Sequence, residues 1–523
     1  MQNPSLKQRS RKGARPNVTP RSRNASTTSR RAYNNNKSRG STPAYTIICL
    51  GIIILMGLFY VDQITHASLR RKMRGGNATG GTGSSNGSNS QGLSQQEVAL
   101  NKVKTKHSSP YFDTSLAADD GEMYHLIFST DCSEFQHWQS YLMFHTALRV
   151  NQPGTITRIA SGCSDEEATK ARAWHKEHVT DIMGDRFMLH LTPHFSGVVD
   201  ADGNTVGDYK FFNKPFGLKH WLENALGFAD DSHTRLKNED SIVILIDPDM
   251  ALMKPITGDF SNDRDVVIGK NEMEGRKMKV EHGSPFAQKY GLGAQWRTFD
   301  LHEIAGAGSP ASKVSEKDGK RFYPVGPPYI GTTRDMHAIA GKWTEFVPKV
   351  HKQYPYLLAE MYAFCIAAAH LELPHQLIES LMVSNTGSGG EGWPLVDALP
   401  HENVCEFAKK PDNSEHPVPS VIHFCQRYAV ADWFFAKRRM VKTFFECESP
   451  LLEEPPSNVV LESDYKQFPK GERTEIKVKA AQREGFMICG IMGAMNAASR
   501  FFKTHHCKGA GNTDMTMNLV NLF

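Results

Sequence analysis

One stretch of the sequence, Ser241–Met250, constrains the fold more than any other. Its residues Ile242–Ile246 form an unbroken apolar run that is mostly β-branched. Such a run predicts a strand buried on both faces, as in a parallel sheet that helices cover on each side. Asp247, Pro248 and Asp249 follow at once. Because Pro248 lacks an N–H and disfavours helical dihedrals at Asp247, we expect the strand to end here in a stiff turn.

The two carboxylates are therefore expected at the carboxyl end of a central strand, where open α/β sheets bind their ligands. Two hard oxygen ligands close together suit Mg²⁺ or Mn²⁺, and such an ion usually also holds substrate phosphates. The Asp-Pro-Asp sequence resembles the Asp-x-Asp arrangement of nucleotide-sugar glycosyltransferases. The alternative is a turn with solvated aspartates. We expect Asp249 to face solvent and to contribute little packing.

The basic balance of the chain belongs to one segment. The 523 residues carry a formal charge of +5, but residues 1–74 hold fifteen Lys and Arg against one acid, Asp62. The remaining residues are mildly acidic, so the charge gives no indication of nucleic-acid binding. The length is enough for a large core with appendages.

The segments before the first predicted strand indicate a membrane-anchored layout. Residues 1–43 contain almost nothing apolar and predict a disordered basic tail. Residues 44–61 are uncharged, would span roughly 27 Å as a helix and predict a transmembrane signal anchor. The positive-inside rule then places the tail in the cytosol and the rest in the lumen, as a single-pass type II protein. This layout is typical of Golgi or ER transferases, and lumenal adhesion and quality-control proteins share it. Residues 62–122 predict a flexible lumenal stem with glycosylation sequons at Asn77 and Asn86.

Eight of the nine cysteines follow the predicted anchor. An even number of cysteines there fits an oxidising compartment and some disulfides. The sequence contains no Cys-x-x-Cys pair, so a zinc or thioredoxin-type motif is not expected. Cys365 lies in an apolar helical context and is expected to be a free buried thiol. The pairing of the others stays open, and the candidates are Cys132, Cys163, Cys405, Cys425, Cys447, Cys489 and Cys507.

Strand and helix patterns alternate up to the Asp-Pro-Asp turn. Apolar runs predict strands at 124–129, 155–160 and 187–191, and helical spacing predicts a helix over 135–150. Ser164, followed by three acids, is typical of a helix N-terminus. This alternation predicts an α/β fold with a Rossmann-like, mostly parallel sheet and flanking helices.

Beyond the acid pair the pattern is less regular. Residues 265–269 predict a further strand, whereas 281–333 are rich in Gly and Pro and predict a long irregular substrate-binding loop. Helical spacing returns at 357–373. The short apolar run Val421–Phe424 predicts a strand that carries His423.

Two cations are candidates for contact with phosphates. Lys214 precedes Pro215 at the start of a predicted helix, where positive charge is unfavourable for the helix dipole, so it suggests an anionic neighbour. Arg158 lies in the second predicted strand. Either could bind phosphate oxygens. The alternatives are a solvated lysine and a strand-edge surface arginine.

Three further side chains have a functional and a structural interpretation. His423 could be a third metal ligand or a hydrogen-bonded core histidine. Glu360, among apolar neighbours, should have a raised pKa if it is buried, and could bind sugar hydroxyls or act on an acceptor; otherwise it lies on an exposed helix face. Trp433 could stack on a sugar or pack in the core.

Several stretches taken together resemble the plant and algal family of peptidyl-serine α-galactosyltransferases and hydroxyproline O-arabinosyltransferases. The resemblance covers roughly residues 123–510, and the order of the pieces is specific. The matching stretches are His125–Ser129 with Cys132, Trp138-Gln139, Gln152–Arg158, Asn213–Pro215 with Trp221-Leu222, Val243–Met250, Pro285–Ala287 with Tyr290-Gly291, Glu360–Tyr362, His423 with Trp433, and Cys447, Cys489 and Cys507.

This resemblance implies a GT-A-like lumenal transferase, with residues 123–447 as the catalytic domain and 448–523 as a cysteine-containing extension. It implies a UDP-sugar as donor, Mn²⁺ or Mg²⁺ as cofactor, and a glycoprotein acceptor rich in Ser or hydroxyproline. The implied roles are metal ligands for Asp247, Asp249 and His423; donor binding for the two aspartates, Asn213, Lys214 and Arg158; catalysis for Glu360 and Asp249; and acceptor or sugar binding for Tyr362 and Trp433.

The sequence departs from the galactosyltransferase pattern at Asp-Pro-Asp, where that branch has Asp-Ala-Asp, at Pro327-Pro328 and at Tyr354–Ala359. These departures leave the sugar open between galactose and arabinofuranose. Two other classes compete: a non-catalytic lumenal sugar- or protein-binding member of the same fold, and a glycosidase. A glycosidase needs two carboxylates that flank a sugar, and no second acid stands out. The intact acid pair and His423 favour the transferase.

Overall fold

A computed structural model of the protein describes residues 110–119, 121–200, 202–228, 239–261, 266, 277–410, 415–462 and 475–520. All of them lie in one compact unit, residues 104–523; the other unit, residues 1–103, lies outside the described part. The predicted tail, the anchor at 44–61, most of the stem and, apart from residue 266, the strand predicted at 265–269 therefore lie outside the described residues.

The strands of the described residues are β1 Tyr124–Asp131, β2 Thr155–Ser161, β3 Phe187–Thr192, β4 Gly197–Val199, β5 Thr205–Asp208, β6 Ile242–Ile246, β7 Met250–Leu252, β8 Phe286–Lys289, β9 Val325–Thr332, β10 Gln376–Ile378, β11 Met382–Val383, β12 Val421–His423, β13 Arg427–Val430, β14 Trp433–Ala436, β15 Leu451–Leu452 and β16 Met515–Met517.

The α-helices of the described residues are α1 Phe135–Arg149, α2 Asp165–His175, α3 Asp181–Met183, α4 Asn213–Asn224, α5 Leu301–Ala305, α6 Glu316–Phe322, α7 Thr333–Gln353, α8 Ala359–His370, α9 Trp393–Asp397, α10 Val404–Lys409, α11 Val459–Glu462 and α12 Glu475–His506. Ser164 caps α2 as predicted, since its side chain accepts from the backbone N–H of Glu167 while the Glu167 carboxylate accepts from that of Ser164.

Seven strands form the central sheet in the order β10-β8-β9-β6-β1-β2-β3. The neighbours β6, β1, β2 and β3 are parallel, as are β10 and β8, whereas β9 runs antiparallel to β6 and to β8. This confirms the predicted α/β class with a mostly parallel sheet. Strand β6, which ends in the acid pair, lies at the centre of the order.

The apolar run of β6 is explained by two cores, one on each face of the sheet. Ile242, Ile244 and Ile246 belong to the core that includes α1 and α12. Val243 and Leu245 belong to the core that includes α4, α7 and α8. Because side chains alternate along a strand, only a strand with apolar residues at every position can serve both cores.

The irregular loop predicted over 281–333 was in part wrong, because β8 and β9 of the central sheet lie within it. Strand β9 was not predicted because it contains Gly326 and Pro327-Pro328, residues that are rare in strands. The register of β8 against β9 shifts between Ala287, opposite Tyr329, and Gln288, opposite Gly326. The two prolines therefore lie at a bulge, where a missing N–H breaks no ladder bond.

The expected Golgi or ER membrane location needs correction. No helix in the part of the chain that the structure describes is long and apolar enough to cross a bilayer. The predicted anchor and the sequons at Asn77 and Asn86 lie outside the described residues.

Three disulfides link six of the candidate cysteines. The pairs are Cys132–Cys163, Cys405–Cys489 and Cys447–Cys507. Cys365 is buried and free, as predicted. The inclusion of Cys425 among the disulfide candidates was wrong, because its thiol is free.

Removal of the Cys405–Cys489 bridge should destabilise the protein by about 2–5 kcal/mol, because the bridge closes a long loop between α10 and α12. The measurement is the urea-unfolding free energy of the Cys405→Ala/Cys489→Ala variant against wild type. Mass spectrometry before and after reduction should show that the other two bridges are intact. A loss below ~0.5 kcal/mol, the range of an ordinary surface substitution, would contradict a stabilising role.

Candidate functional site

The acid pair lies in the turn between β6 and β7, as the sequence predicts. Asp247 is half-buried, but Asp249 is only 7% exposed. The expectation that Asp249 faces solvent was therefore wrong. The reason is long-range: β12 pairs with β7 and brings other side chains over Asp249.

His423 reaches the acid pair through that small sheet. It lies opposite Met250 in the antiparallel β12–β7 register. Its Nε2 is 3.3 Å from Asp249 Oδ1 and 3.9 Å from Asp247 Oδ2. The ligand atoms of the three residues all lie within 4.8 Å of one another, and no other such group of three occurs among the residues described.

The orientation of His423 suits a ligand. Its Nδ1 is 3.3 Å from the sulfur of Met382. Because a thioether sulfur can only accept, Nδ1 donates to it, and Nε2 faces the aspartates, where it donates to Asp249 Oδ1 until a cation takes the place of its proton. Two carboxylates and one imidazole nitrogen, this close together, fit a divalent cation such as Mn²⁺ or Mg²⁺.

Lys437, which the sequence analysis missed, is bound to the same cluster. Its Nζ is 2.5 Å from Asp249 Oδ2. Burial alone would raise the pKa of Asp249, but His423 and Lys437 hold that pKa far below its usual range. Lys437 lies 188 residues from Asp249 in a Lys-Arg-Arg run that is typical of a solvated surface. The one feature of the sequence that could have indicated a role for Lys437 is its position directly after the aromatic strand β14.

Lys214 links the acid pair to Glu360. Its Nζ is 2.7 Å from Asp247 Oδ1 and 2.8 Å from Glu360 Oε1. The anionic neighbour predicted for this lysine is thus confirmed. Burial opposes the charge on Lys214, but the two carboxylates outweigh it and raise the pKa of Lys214. Burial raises the pKa of Glu360, as predicted, although Lys214 partly offsets that rise.

Glu360 is fixed by its backbone as well as by Lys214. Its N–H donates to the Tyr209 hydroxyl at 3.2 Å, and its carbonyl accepts from the Trp343 indole at 2.7 Å. Its Oε2 and the side-chain oxygen of Asn213 are buried and have no hydrogen-bond partner among the described residues. Each of these two oxygens can therefore accept a hydrogen bond from a water or from a ligand hydroxyl.

Arg158 is fully buried in β2 and is not a strand-edge surface cation. Its guanidinium donates to the Thr130 hydroxyl at 2.9 Å and to the Asp131 carbonyl at 3.3 Å. Burial lowers the pKa of Arg158 to about 10, and Asp131 opposes that shift. These contacts tie Arg158 to the carboxyl end of β1, which is the neighbour of β6 in the sheet.

Tyr362 and Trp433 occupy different surroundings. The Tyr362 ring is buried against the rings of Phe299 and Tyr354, at 5.4 and 5.3 Å between centroids. Trp433 is half-buried at the start of β14, the strand that leads to Lys437. Among the described residues, no hydrogen bond or ion pair joins Tyr362 or Trp433 to the acid pair, and their sugar- or acceptor-binding roles stay predictions.

The fold and the site define an α/β protein whose mostly parallel sheet ends in an acidic cluster that suits a divalent cation. No protein-family model matches the chain. The chain is similar to the peptidyl serine alpha-galactosyltransferase of Arabidopsis thaliana, with 24% identity over 355 residues. The match covers 65% of this chain and 35% of the relative, so the chain spans about a third of that protein's length. The similarity confirms the resemblance found in the motifs.

Proposed function

We propose that the protein is a divalent-cation-dependent glycosyltransferase of GT-A-like fold that moves a sugar from a UDP-sugar to Ser or hydroxyproline of a glycoprotein. The observation that carries the proposal is the convergence of Asp247, Asp249 and His423 at the end of the central strand. The relative, named a peptidyl serine galactosyltransferase, supports glycosyl transfer in general. Because it is matched over a third of its length, donor and acceptor come to this chain as proposals.

In the proposed reaction, the bond from the sugar C1 to a diphosphate oxygen breaks and a bond from C1 to the acceptor oxygen forms. UDP leaves with the electron pair of the broken bond, and the hydroxyl proton of the acceptor is released to solvent. A divalent cation held by Asp247, Asp249 and His423 would supply charge neutralisation on the leaving diphosphate. Lys214 holds the Asp247 carboxylate in place through its 2.7 Å contact. Its second contact, to Glu360, links the residues proposed to hold the cation to a residue proposed to face the sugar.

Glu360 and Asn213 are proposed to face the reacting sugar. Their partnerless buried oxygens can accept hydrogen bonds from sugar or acceptor hydroxyls once the ligand replaces water there. We retain Trp433 and Tyr362 as proposed sugar- or acceptor-binding residues and Arg158 as a proposed donor-side cation. Residues 123–447 are the proposed catalytic domain, and 448–523 the extension that completes one of its cores.

A donor screen tests this proposal. Purified protein with Mn²⁺ is offered UDP-galactose, UDP-arabinofuranose and other UDP-sugars, together with peptides rich in Ser or in hydroxyproline. A peptide mass that increases by one sugar with one of these donors is the expected result. Release of UDP without peptide modification would indicate a different acceptor. Saturable donor binding with neither transfer nor UDP release would identify a non-catalytic binding protein.

A further inference from the structure

Both oxygens of the Asp249 carboxylate already have cationic or hydrogen-bonding partners. His423 Nε2 lies 3.3 Å from Oδ1, and Lys437 Nζ lies 2.5 Å from Oδ2. Asp247 is paired in turn with Lys214. The two aspartates that would hold a cation are therefore matched by two ammonium groups before any cation binds.

The two lysines differ in how firmly they are held. Lys214 is enclosed, with its side chain 9% exposed, and it bridges two carboxylates. Lys437 forms its ion pair with one carboxylate, and its side chain is 29% exposed. It lies in the short turn Lys437–Arg439 that follows the β13–β14 hairpin. Lys437 can therefore turn toward the solvent side of the site, whereas Lys214 cannot leave without stranding two buried charges.

A divalent cation that used both aspartates would lie within a few ångströms of the Lys437 ammonium, and the two positive charges would repel each other. The diphosphate of a nucleotide carries negative charge that would attract both the cation and the Lys437 ammonium. An ammonium on a flexible stem is also a common phosphate ligand.

We propose that Lys437 is exchanged between two anions. In the nucleotide-free protein, Lys437 pairs with Asp249 Oδ2 and so weakens binding of the cation alone. When a nucleoside diphosphate binds together with the cation, the Lys437 ammonium leaves Asp249 and pairs with the diphosphate. Cation and nucleotide then bind cooperatively. The inference rests on the proposed function, since it takes Asp247, Asp249 and His423 as the cation site.

The test is a binding experiment that needs no turnover. Free Mn²⁺ is followed by its electron paramagnetic resonance signal during titration of wild-type protein, with and without UDP. We expect UDP to tighten Mn²⁺ binding. In Lys437→Met, Mn²⁺ alone should bind about tenfold more tightly because a nearby unit charge is gone, and UDP should then improve binding much less.

Lys442→Met is the matched control, because Lys442 pairs with Glu134 on the surface and both side chains are mostly exposed. It should titrate like wild type. Lys437→Gln is a second variant, which keeps a hydrogen-bond donor for Asp249 if the methionine variant does not fold. Wild-type Mn²⁺ affinity that is equal with and without UDP, or unchanged in the Lys437 variants, would overturn the exchange and leave the metal site standing. No Mn²⁺ binding to any form, with or without UDP, would overturn both the exchange and the proposed metal site.

Discussion

Asp249→Asn should lower Mn²⁺-dependent sugar transfer by about a hundredfold or more. The substitution keeps the shape of the side chain but removes one of the charged ligands that, in the proposed mechanism, hold the cation on the leaving diphosphate. Several kcal/mol of transition-state stabilisation depend on such an ion, and each ~1.4 kcal/mol is about tenfold in rate. The measurement is turnover at saturating donor and Mn²⁺, for variant and wild type side by side.

The same substitution should also lower stability, because Asp249 is buried between His423 and Lys437. Loss of hydrogen bonds to charged groups costs about 1.5–3 kcal/mol. Turnover must therefore be compared below the melting temperature of the variant. Asp202→Asn, in the exposed turn between β4 and β5, is the control and should change neither quantity. Near-wild-type turnover in Asp249→Asn would mean that the acid pair is only a turn.

Lys214→Met should destabilise the fold by about 3–5 kcal/mol, because it leaves the carboxylates of Asp247 and Glu360 without their common cation. Lys176→Met, which removes a surface pair with Asp181, should cost less than ~1 kcal/mol. The unfolding free energies of both variants are read from urea titrations. Equal losses in the two would contradict the structural role assigned to Lys214.

The effect of Lys214→Met should also depend on pH. With the lysine gone, the pKa of Glu360 rises further above its unfolded value, so the folded state binds the extra proton and stability falls as the pH increases. The loss should be smaller near pH ~5 than near pH ~8. Addition of Glu360→Gln should recover part of the stability at the higher pH, since one of the two stranded charges is removed.

The part of the site that sequence reasoning located depends on local patterns. The apolar run Ile242–Ile246 and Pro248 were enough to place the acid pair at a strand end. The position of Lys214 at the start of a helix, where positive charge is unfavourable, was enough to predict an anion beside it. His423 was suggested by the family resemblance, because its short apolar strand alone favoured a hydrogen-bonded core histidine. For the acid pair and for Lys214, the residue and its neighbours in the chain carry the information.

The remaining features depend on which distant segments meet. Lys437 reaches Asp249 across 188 residues of chain, and neither residue's neighbours indicate the pair. The burial of Asp249 follows from the pairing of β12 with β7. Strand β9 lies in a Gly- and Pro-rich stretch, and its place beside β6 is set by a bulge and by the adjoining strands. The three cysteine pairings are of the same kind, since an even count fixes no connectivity.

We propose above that this chain transfers a sugar with a divalent cation at its acid pair. The most direct test is wild-type protein with the donor and peptide selected by the screen, assayed for a peptide mass increase in excess EDTA and again after Mn²⁺ exceeds the chelator. We expect no transfer in EDTA and full recovery with Mn²⁺, with no recovery in Asp249→Asn. Undiminished transfer by the wild type in excess EDTA would contradict a role of the cation in the reaction.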